Sequence, residues 1–233
     1  MIDLVIAGAG GALVGALATG VYAPNSRLFG RAIGRGRRDR PSFYLTFDDG
    51  PNPGATEAIL ETLATHGVPA TFFMVGMHVQ RFPTTARRVA EARHDIGNHT
   101  HHHLKLHRRG PARIRSELEL AHAAITESTG LAPVTFRAPH GYRNPFVAGA
   151  ARRLGYTVFG WSFGVWDSAR PSPEEIRRRV RAKLAPGAIV LLHDGDGDAP
   201  NGDRSATVAA LPGIIRDARA AGLEPRPLRE LIE

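Results

Sequence analysis

The sequence contains no cysteine, and this absence removes several kinds of site at once. Disulfides, zinc sites built from thiolates and cysteine nucleophiles are all excluded, so a metal site must use histidine or carboxylate ligands. Tryptophan is scarce as well, with 2 in 233 residues. The main body of the chain has no basic stripe interleaved with aromatic residues, so no nucleic-acid partner is expected.

Length and composition predict one globular domain with a sizeable core. The chain has 233 residues, of which 42% are hydrophobic and 22% charged, which is ordinary for a soluble domain. An α/β barrel often reaches this size undivided.

The amino-terminal stretch over residues 4–22 carries no charge. As a helix it would be ~28 Å long, about the thickness of a bilayer hydrocarbon core. Gly11 and Gly15 have the small-xxx-small spacing that suits close helix contact in lipid. A cleaved signal peptide is disfavoured because Asp3 stands where a basic region is needed, whereas a buried soluble helix stays an alternative. We predict a membrane-anchor helix within residues 1–26.

Residues 27–40 hold six arginines against Asp39, and most of the excess positive charge (+8 overall) lies here. We interpret the stretch as a juxtamembrane linker that contacts lipid headgroups, ahead of the main domain over 41–233. The positive-inside rule places that domain on the cytoplasmic side.

After residue 41, strand-like and helix-like segments alternate. Strands are predicted over 43–47, 69–75, 94–99, 134–139, 156–162 and 188–194. Helices are predicted over 55–67, 85–93, 111–130, 145–154, 173–184 and 207–222. Repeated βα units indicate a parallel sheet, and six or seven of them favour an α/β barrel over an open sheet.

Ionisable residues follow nearly every predicted strand. In such barrels the chemistry collects at the carboxyl ends of the strands, so residues at these points converge on one site. Five equivalent positions are hard to explain as helix caps. They are Asp48–Asp49, His99, Arg137, Asp167 and His193.

The stretch GNHTHHH (97–103) is a candidate metal site. His99 and His103 stand four apart, so they would share one face of a helical turn, and in a loop they can still converge. With one aspartate of TFDDGP (46–51) they make a two-histidine, one-carboxylate set with positions open for water and substrate. A bound ion would lower the pKa of its water towards ~7, which is hydrolytic chemistry.

Five motifs in this order resemble the polysaccharide deacetylases, carbohydrate esterase family four, which carry the nodulation-protein-B homology domain. They are TFDDGP (46–51), HTHHH (99–103), RAPHG (137–141), WSFGVWD (161–167) and IVLLH (189–193). The resemblance implies a distorted (β/α) barrel of about seven strands. It also implies a divalent metal, with zinc expected and cobalt, manganese or nickel as alternatives.

The resemblance also assigns roles to the residues that match. It implies that Asp48 is the general base and that the metal ligands are Asp49, His99 and His103. Arg137 would orient Asp48, while His193 would be the general acid with Asp167 as its charge partner. Four residues are implied in substrate binding: His140, Gly141, Trp166 and Leu191, the last lining the pocket for the acetyl methyl group.

Two of the motifs depart from the family pattern. His140 stands where the family has tyrosine, but the implied contact to the oxyanion is through the backbone N–H, so the change should matter little. In the fourth motif, Gly164 and Ser168 replace the usual aspartate and tryptophan. Trp166 is the aromatic residue left to form the wall of the substrate groove.

We therefore predict a metal-dependent deacetylase that hydrolyses N-acetyl groups of amino sugars. The expected substrates are an envelope polysaccharide, chitooligosaccharides or a lipid-linked sugar at the membrane, and an O-acetyl esterase or a deformylase is the alternative on the same site. A non-catalytic glycan-binding module would need a broken base, acid or metal position, and none is broken. The resemblance makes 41–233 the catalytic domain. Envelope chemistry favours the outer side of the membrane whereas the arginines favour the cytoplasmic side, so the side of the membrane stays open, as does the oligomeric state.

A metal-free serine esterase is the remaining rival. GWSFG (160–164) matches the G-x-S-x-G pattern around Ser162. The serine of that motif must lead directly into a helix, whereas VWDSARPSP with its two prolines follows here. The sequence that follows Ser162 therefore does not match that of a serine nucleophile.

Overall fold

The computed structural model describes residues 14–232, and short parallel strands form its centre. In chain order they are β1 (Ser42–Asp48), β2 (Ala70–Met74), β3 (Asp95–Asn98), β4 (Thr135–Phe136), β5 (Thr157–Val158), β6 (Phe163–Gly164), β7 (Ala188–His193) and β8 (Glu224–Pro225). Neighbours follow the order β5-β4-β3-β2-β1-β7-β6, with β8 beside the start of β1. No ladder joins β5 to β6 within the described residues, so the sheet is a half-barrel.

Helices connect the strands. They are α1 (described over 14–22), α2 (Ala55–His66), α3 (Gly76–Arg81), α4 (Pro83–Glu91), α5 (Pro111–Thr129), α6 (Pro145–Arg153), α7 (Pro173–Arg181) and α8 (Ser205–Ala220). Four of them begin at a proline, whose fixed φ suits the first helical position. Gly67 and Gly130 end α2 and α5 in the left-handed conformation that glycine adopts readily.

Strand register brings distant residues together at one edge of the sheet. Asp48, the last residue of β1, lies opposite His193, the last residue of β7. On the other side, Asn98 of β3 lies opposite Phe136 of β4, so the residues that follow them, His99 and Arg137, are also neighbours. The carboxyl ends of the strands therefore meet at one place, as the parallel topology predicted.

The barrel prediction is correct in type but differs in detail around residues 156–162. Of this predicted strand only Thr157–Val158 forms a strand, β5, and the unpredicted β6 begins just after it, because the residues between them bond to the chain before β1. Gly160 donates its N–H to the Ile33 carbonyl at 2.9 Å, and Asn25 Nδ2 donates to the Trp161 carbonyl at 2.8 Å. The short elements α3 and β8 were not predicted, since neither has a periodic pattern long enough to detect.

The predicted anchor lies mostly outside the described residues, which include only its last part, 14–22, in α1. Among residues 14–232, no helix is both long and apolar enough to span a bilayer. The hydrophobic amino-terminal helix that we expected is therefore not supported as a membrane span. Val14 and Leu17 of α1 are largely exposed to solvent.

The chain that follows α1 packs firmly against the half-barrel. The buried Arg143 side chain donates to three carbonyl oxygens of this segment, those of Pro24, Ser26 and Gly30. Ile33 forms a parallel bridge with Phe159 at the end of β5. Residues 24–33 thus help to close the gap between β5 and β6.

Gly141 provides a test of this closure. Its φ is +72°, and a Cβ there would lie 2.7 Å from Trp161 and 2.8 Å from Pro24. We expect Gly141→Ala to lower the free energy of unfolding by about 1–3 kcal/mol, because strain and overlap add. Chemical denaturation measures this change.

Gly149 is the matched control. It lies inside α6, and a Cβ there meets nothing within 4 Å. Gly149→Ala should therefore stabilise the protein by about 0.4–1 kcal/mol. Equal effects of the two substitutions would contradict the packing described here.

Candidate active site

The paired aspartates at the end of β1 both line one cavity of about 380 Å³. Regular strand geometry would point neighbouring side chains to opposite faces. Asp49 escapes that rule because its φ is +78°, in the left-handed region, so the strand has already ended. Asp48 and Asp49 are only 3% and 7% exposed and face the same space.

Asp49, His99 and His103 form a group that fits a metal ion. Each offers one ligand atom, and these three atoms lie within 4.8 Å of one another. His103 Nε2 is 3.1 Å and His99 Nε2 is 3.4 Å from Asp49 Oδ1. One carboxylate oxygen and two imidazole nitrogens are ligands that suit zinc and related divalent metals.

The histidine stretch is a loop, so the helical face considered from the spacing does not form. The two histidines converge because Thr100 and His103 adopt left-handed backbone angles, φ +68° and +53°. His99 Nδ1 lies 2.8 Å from the Arg137 carbonyl oxygen. A carbonyl can only accept, so Nδ1 carries the proton and Nε2 offers its lone pair to the metal position.

The short distances within this group shift the pKa of Asp49 and that of His103. Burial opposes ionisation of Asp49, but the neighbouring His103 and His99 rings outweigh it and hold the pKa of Asp49 well below its usual range. For His103, burial favours the neutral ring, yet Asp49 raises the pKa above its ordinary value. A cation held between these ligands would take the place of the shared proton.

Arg137 lies in the interior of the half-barrel and is fully buried. Its Nη1 donates to Asp48 Oδ1 at 2.6 Å and to Thr46 Oγ1 at 2.8 Å, and Nη2 donates to the Gly160 carbonyl at 2.9 Å. The guanidinium also lies over the Phe73 ring, 4.1 Å from its centroid. Burial lowers the pKa of Arg137, while Asp48 opposes that effect.

His193, which is partly exposed in the cavity, pairs with the buried Asp167. His193 Nδ1 is 2.8 Å from Asp167 Oδ1, and the His193 backbone N–H donates to Asp167 Oδ2 at 2.9 Å. Burial alone would lower the pKa of His193, but Asp167 raises it to about 9. The ring is therefore an imidazolium at neutral pH, with Nε2 directed away from Asp167.

Sequence reasoning missed two groups that support these residues. Thr207, on α8, donates its hydroxyl to Asp167 Oδ2 at 3.0 Å. Asp194 is buried beside the paired aspartates and accepts from Thr56 Oγ1 at 2.6 Å. Burial raises the pKa of Asp194 to about 7. Asp194 directly follows His193, which was a usable signal, but Thr207 gave none.

The cavity wall contains three of the four residues implied in substrate binding: His140, Trp166 and Leu191. Burial and the nearby His103 lower the pKa of His140 to about 4, so this ring is neutral. Gly141 is the exception. It packs behind the wall against Trp161 rather than lining the cavity.

The cavity has further aromatic lining from Tyr142 and Trp161, which we did not predict. Trp166 is 75% exposed and has a left-handed backbone, with φ +58°. This side chain therefore stands out from the rim beside the cavity mouth. An exposed aromatic face next to a polar cavity is suited to stacking against a sugar ring.

Ser162 is not placed as a nucleophile. Its hydroxyl donates to the Gly34 carbonyl at 2.7 Å and accepts the Ile189 N–H at 3.0 Å. The residues after it form the short strand β6 rather than a helix. The serine-esterase alternative is therefore contradicted by the geometry.

Comparisons with known proteins agree with the motif order. A family model described as polysaccharide deacetylase matches residues 35–159. A chitooligosaccharide deacetylase of Bradyrhizobium sp. (strain ANU 289) is 40% identical over 200 residues, which cover 82% of this chain and 90% of the relative.

Solved structures share the fold. The Bc1960 peptidoglycan N-acetylglucosamine deacetylase has a TM-score of 0.81 and 29% identity, covering 85% of this chain and 91% of that chain. The wild-type BA3943 protein of Bacillus anthracis, described as a pseudoenzyme of carbohydrate esterase family four, has a TM-score of 0.79 and 27% identity. The match covers 87% of this chain and 69% of that one.

Proposed function

Since this chain belongs to the polysaccharide deacetylase family, we propose that it removes acetyl groups from N-acetylglucosamine units of a chitin-like or peptidoglycan-type glycan. The main support for the proposal is the set of functional groups that share one cavity. A ligand set for a metal lies beside a carboxylate held by Arg137 and an imidazolium held by Asp167. These are the parts that amide hydrolysis requires.

We assign the metal to Asp49, His99 and His103 and propose zinc as its identity, because imidazole with carboxylate suits that ion. When bound, a divalent metal polarises a carbonyl oxygen and makes water a better nucleophile at neutral pH. The ligand set leaves positions open for water and substrate. Cobalt, manganese and nickel are the alternatives that the same ligands accept.

Asp48 is the general base in this proposal. The Arg137 guanidinium occupies its Oδ1, and its Oδ2 lies 3.7 Å from His99 Nε2, next to the metal position. As water adds to the acetyl carbonyl carbon, Asp48 accepts the proton that the water loses. The hydrogen bond from Arg137 fixes the orientation of this carboxylate.

His193 is the general acid. Asp167 holds Nδ1, so the protonated Nε2 is free to donate to the amide nitrogen as the carbon–nitrogen bond breaks. The products are acetate and a sugar with a free amine. The backbone N–H of His140, at φ +57°, is the proposed donor to the oxyanion.

Trp166 and Leu191 are the proposed substrate contacts. Leu191 is mostly buried in the cavity wall, where an apolar side chain suits the acetyl methyl group. Trp166 offers an exposed face for a neighbouring sugar ring. A binding module without catalysis is disfavoured, because base, acid and ligand set are all present in this chain.

We also propose that residues 4–22 attach the protein to a membrane. The exposed Val14 and Leu17 of α1 are apolar, and the arginine-rich stretch 27–40 suits anionic headgroups. Attachment would favour glycans made or stored at the membrane, including lipid-linked sugars.

Acetate release from a panel of glycans tests the proposed reaction. The panel contains chitooligosaccharides, peptidoglycan fragments and acetylated xylan. We expect release from the N-acetylated members, and kcat lower by about 10²–10⁴-fold in Asp48→Asn with zinc affinity retained. Release from xylan alone would make the enzyme an ester hydrolase. Equal rates in Asp48→Asn and wild type would contradict the role of Asp48.

The pH profile tests the acid. His193 must be protonated to act, so activity falls as pH rises through its pKa of about 9. Asp167→Asn removes the charge that raises this pKa, so the alkaline limb should move at least about one unit towards acid. Asp203→Asn, at an exposed aspartate paired with Ser205 instead, is the control and should leave the limb unchanged. If the alkaline limb of the pH profile lay at the same pH in Asp167→Asn and wild type, His193 would not be the general acid proposed here.

Fractionation of expressing cells tests the attachment. The full chain should stay with membranes after both a high-salt and an alkaline wash, because insertion survives where headgroup attraction is screened. A variant without residues 1–13 should move to the supernatant. Recovery of the full chain in the soluble fraction before any wash would contradict the proposal.

A further inference from the structure

A further buried carboxylate, that of Glu117, lies behind the histidine loop, outside the cavity. Glu117 is on α5, and its side chain is completely buried. The proposed chemistry does not use it, and it contacts no part of the cavity wall described above. A fully buried carboxylate is costly unless its oxygens are satisfied, so its partners reveal its role.

Both carboxylate oxygens of Glu117 bind the loop residues between the two proposed histidine ligands, His101 and His102. Oε2 accepts the backbone N–H of His102 at 2.8 Å and that of His101 at 3.2 Å. Oε1 lies 2.9 Å from His102 Nδ1 and 2.9 Å from Arg113 Nη2. The carboxylate thus caps the turn that separates His99 from His103.

The loop needs such a partner because its backbone is strained. Thr100 and His103 are left-handed without being glycine, a conformation that persists only when the surroundings impose it. The N–H groups of residues 101 and 102 point away from the metal position, towards α5. Without an acceptor there, these two donors would lose their partner, and His101 is a buried residue.

Helix α5 holds the start of the loop as well. Asn98 Nδ2 donates to the Leu118 carbonyl at 2.9 Å, while Asn98 Oδ1 accepts the Thr100 N–H at 2.8 Å. Two adjacent residues of α5 therefore hold the turn, Leu118 through Asn98 at its start and Glu117 through the backbone of residues 101 and 102. Leu118 does so through its backbone, whereas Glu117 does so through a side chain that substitution can change.

We propose that Glu117 is a positioning residue that prearranges His99 and His103 for the metal. The inference rests on the proposed metal site, since it concerns the geometry of its ligands. Glu117 touches neither metal nor substrate, so its removal should weaken metal binding while leaving the chemical groups in place. Partners that orient metal ligands commonly affect affinity in this way.

Glu117→Gln is the sharpest substitution, because it conserves shape. An amide has only one oxygen, and its NH₂ group would face Arg113 or the loop N–H groups, which are donors too. Glu119→Gln is the matched control. It lies two residues along α5, is half exposed, and has Arg115 as its partner at 3.9 Å.

The experiment measures zinc affinity of the metal-free full chain by competition with a coloured chelator. We expect Glu117→Gln to bind zinc about 10–100-fold more weakly than wild type and Glu119→Gln to match wild type. Without metal, amide hydrogen exchange at residues 101 and 102 should accelerate in Glu117→Gln alone. The zinc concentration for half-maximal activity should rise by the same factor, with kcat recovering at saturating zinc.

The outcomes separate the two proposals. Wild-type zinc affinity in Glu117→Gln would overturn the positioning role while leaving the metal site intact. Absence of zinc binding by wild type would overturn the metal site, and the positioning role with it. Where Glu117→Gln does not fold, Glu117→Asp takes its place, since it keeps the charge but withdraws the carboxylate by one methylene, and the same loss is expected.

Discussion

The buried pair between Arg137 and Asp48 is the constraint on which the site depends. A guanidinium inside a half-barrel must have its charge and donors satisfied, and removing one partner of such a pair costs about 3–5 kcal/mol. Arg137 pairs with Asp48 and Thr46 through Nη1 and with the Gly160 carbonyl through Nη2, so it ties β1 to the segment that follows β5. Its own carbonyl also fixes the tautomer of His99. One residue thereby positions both the proposed base and one proposed metal ligand.

The same arrangement recurs around the cavity, where each group proposed to act has a buried partner. His193 is oriented by Asp167, which is in turn held by Thr207. The histidine loop is capped by Glu117. Groups fixed before substrate arrives need no reorganisation during the reaction, which is the main source of electrostatic catalysis. The protein BA3943, described as a pseudoenzyme, has this fold as well, so the fold by itself does not establish activity.

The sequence was sufficient to predict the parallel sheet and the convergence of Asp48, His99 and His193, because ionisable residues follow apolar strands. It was insufficient where distant segments decide the outcome. The split between β5 and β6 depends on residues 25–34, which have no periodic pattern. The left-handed turn at Asp49 and the partner Glu117 depend on tertiary contacts that local propensity does not encode. The membrane anchor came from hydropathy alone, and no span is present among residues 14–232.

We propose that Asp49, His99 and His103 hold one metal ion on which hydrolysis depends. The decisive experiment is titration of zinc into chelator-treated protein, followed by acetate release from an N-acetylated oligosaccharide. We expect negligible activity without metal, recovery that saturates at about one zinc per chain, and no recovery in Asp49→Asn. Full activity in the chelated protein, or equal recovery in Asp49→Asn, would contradict it.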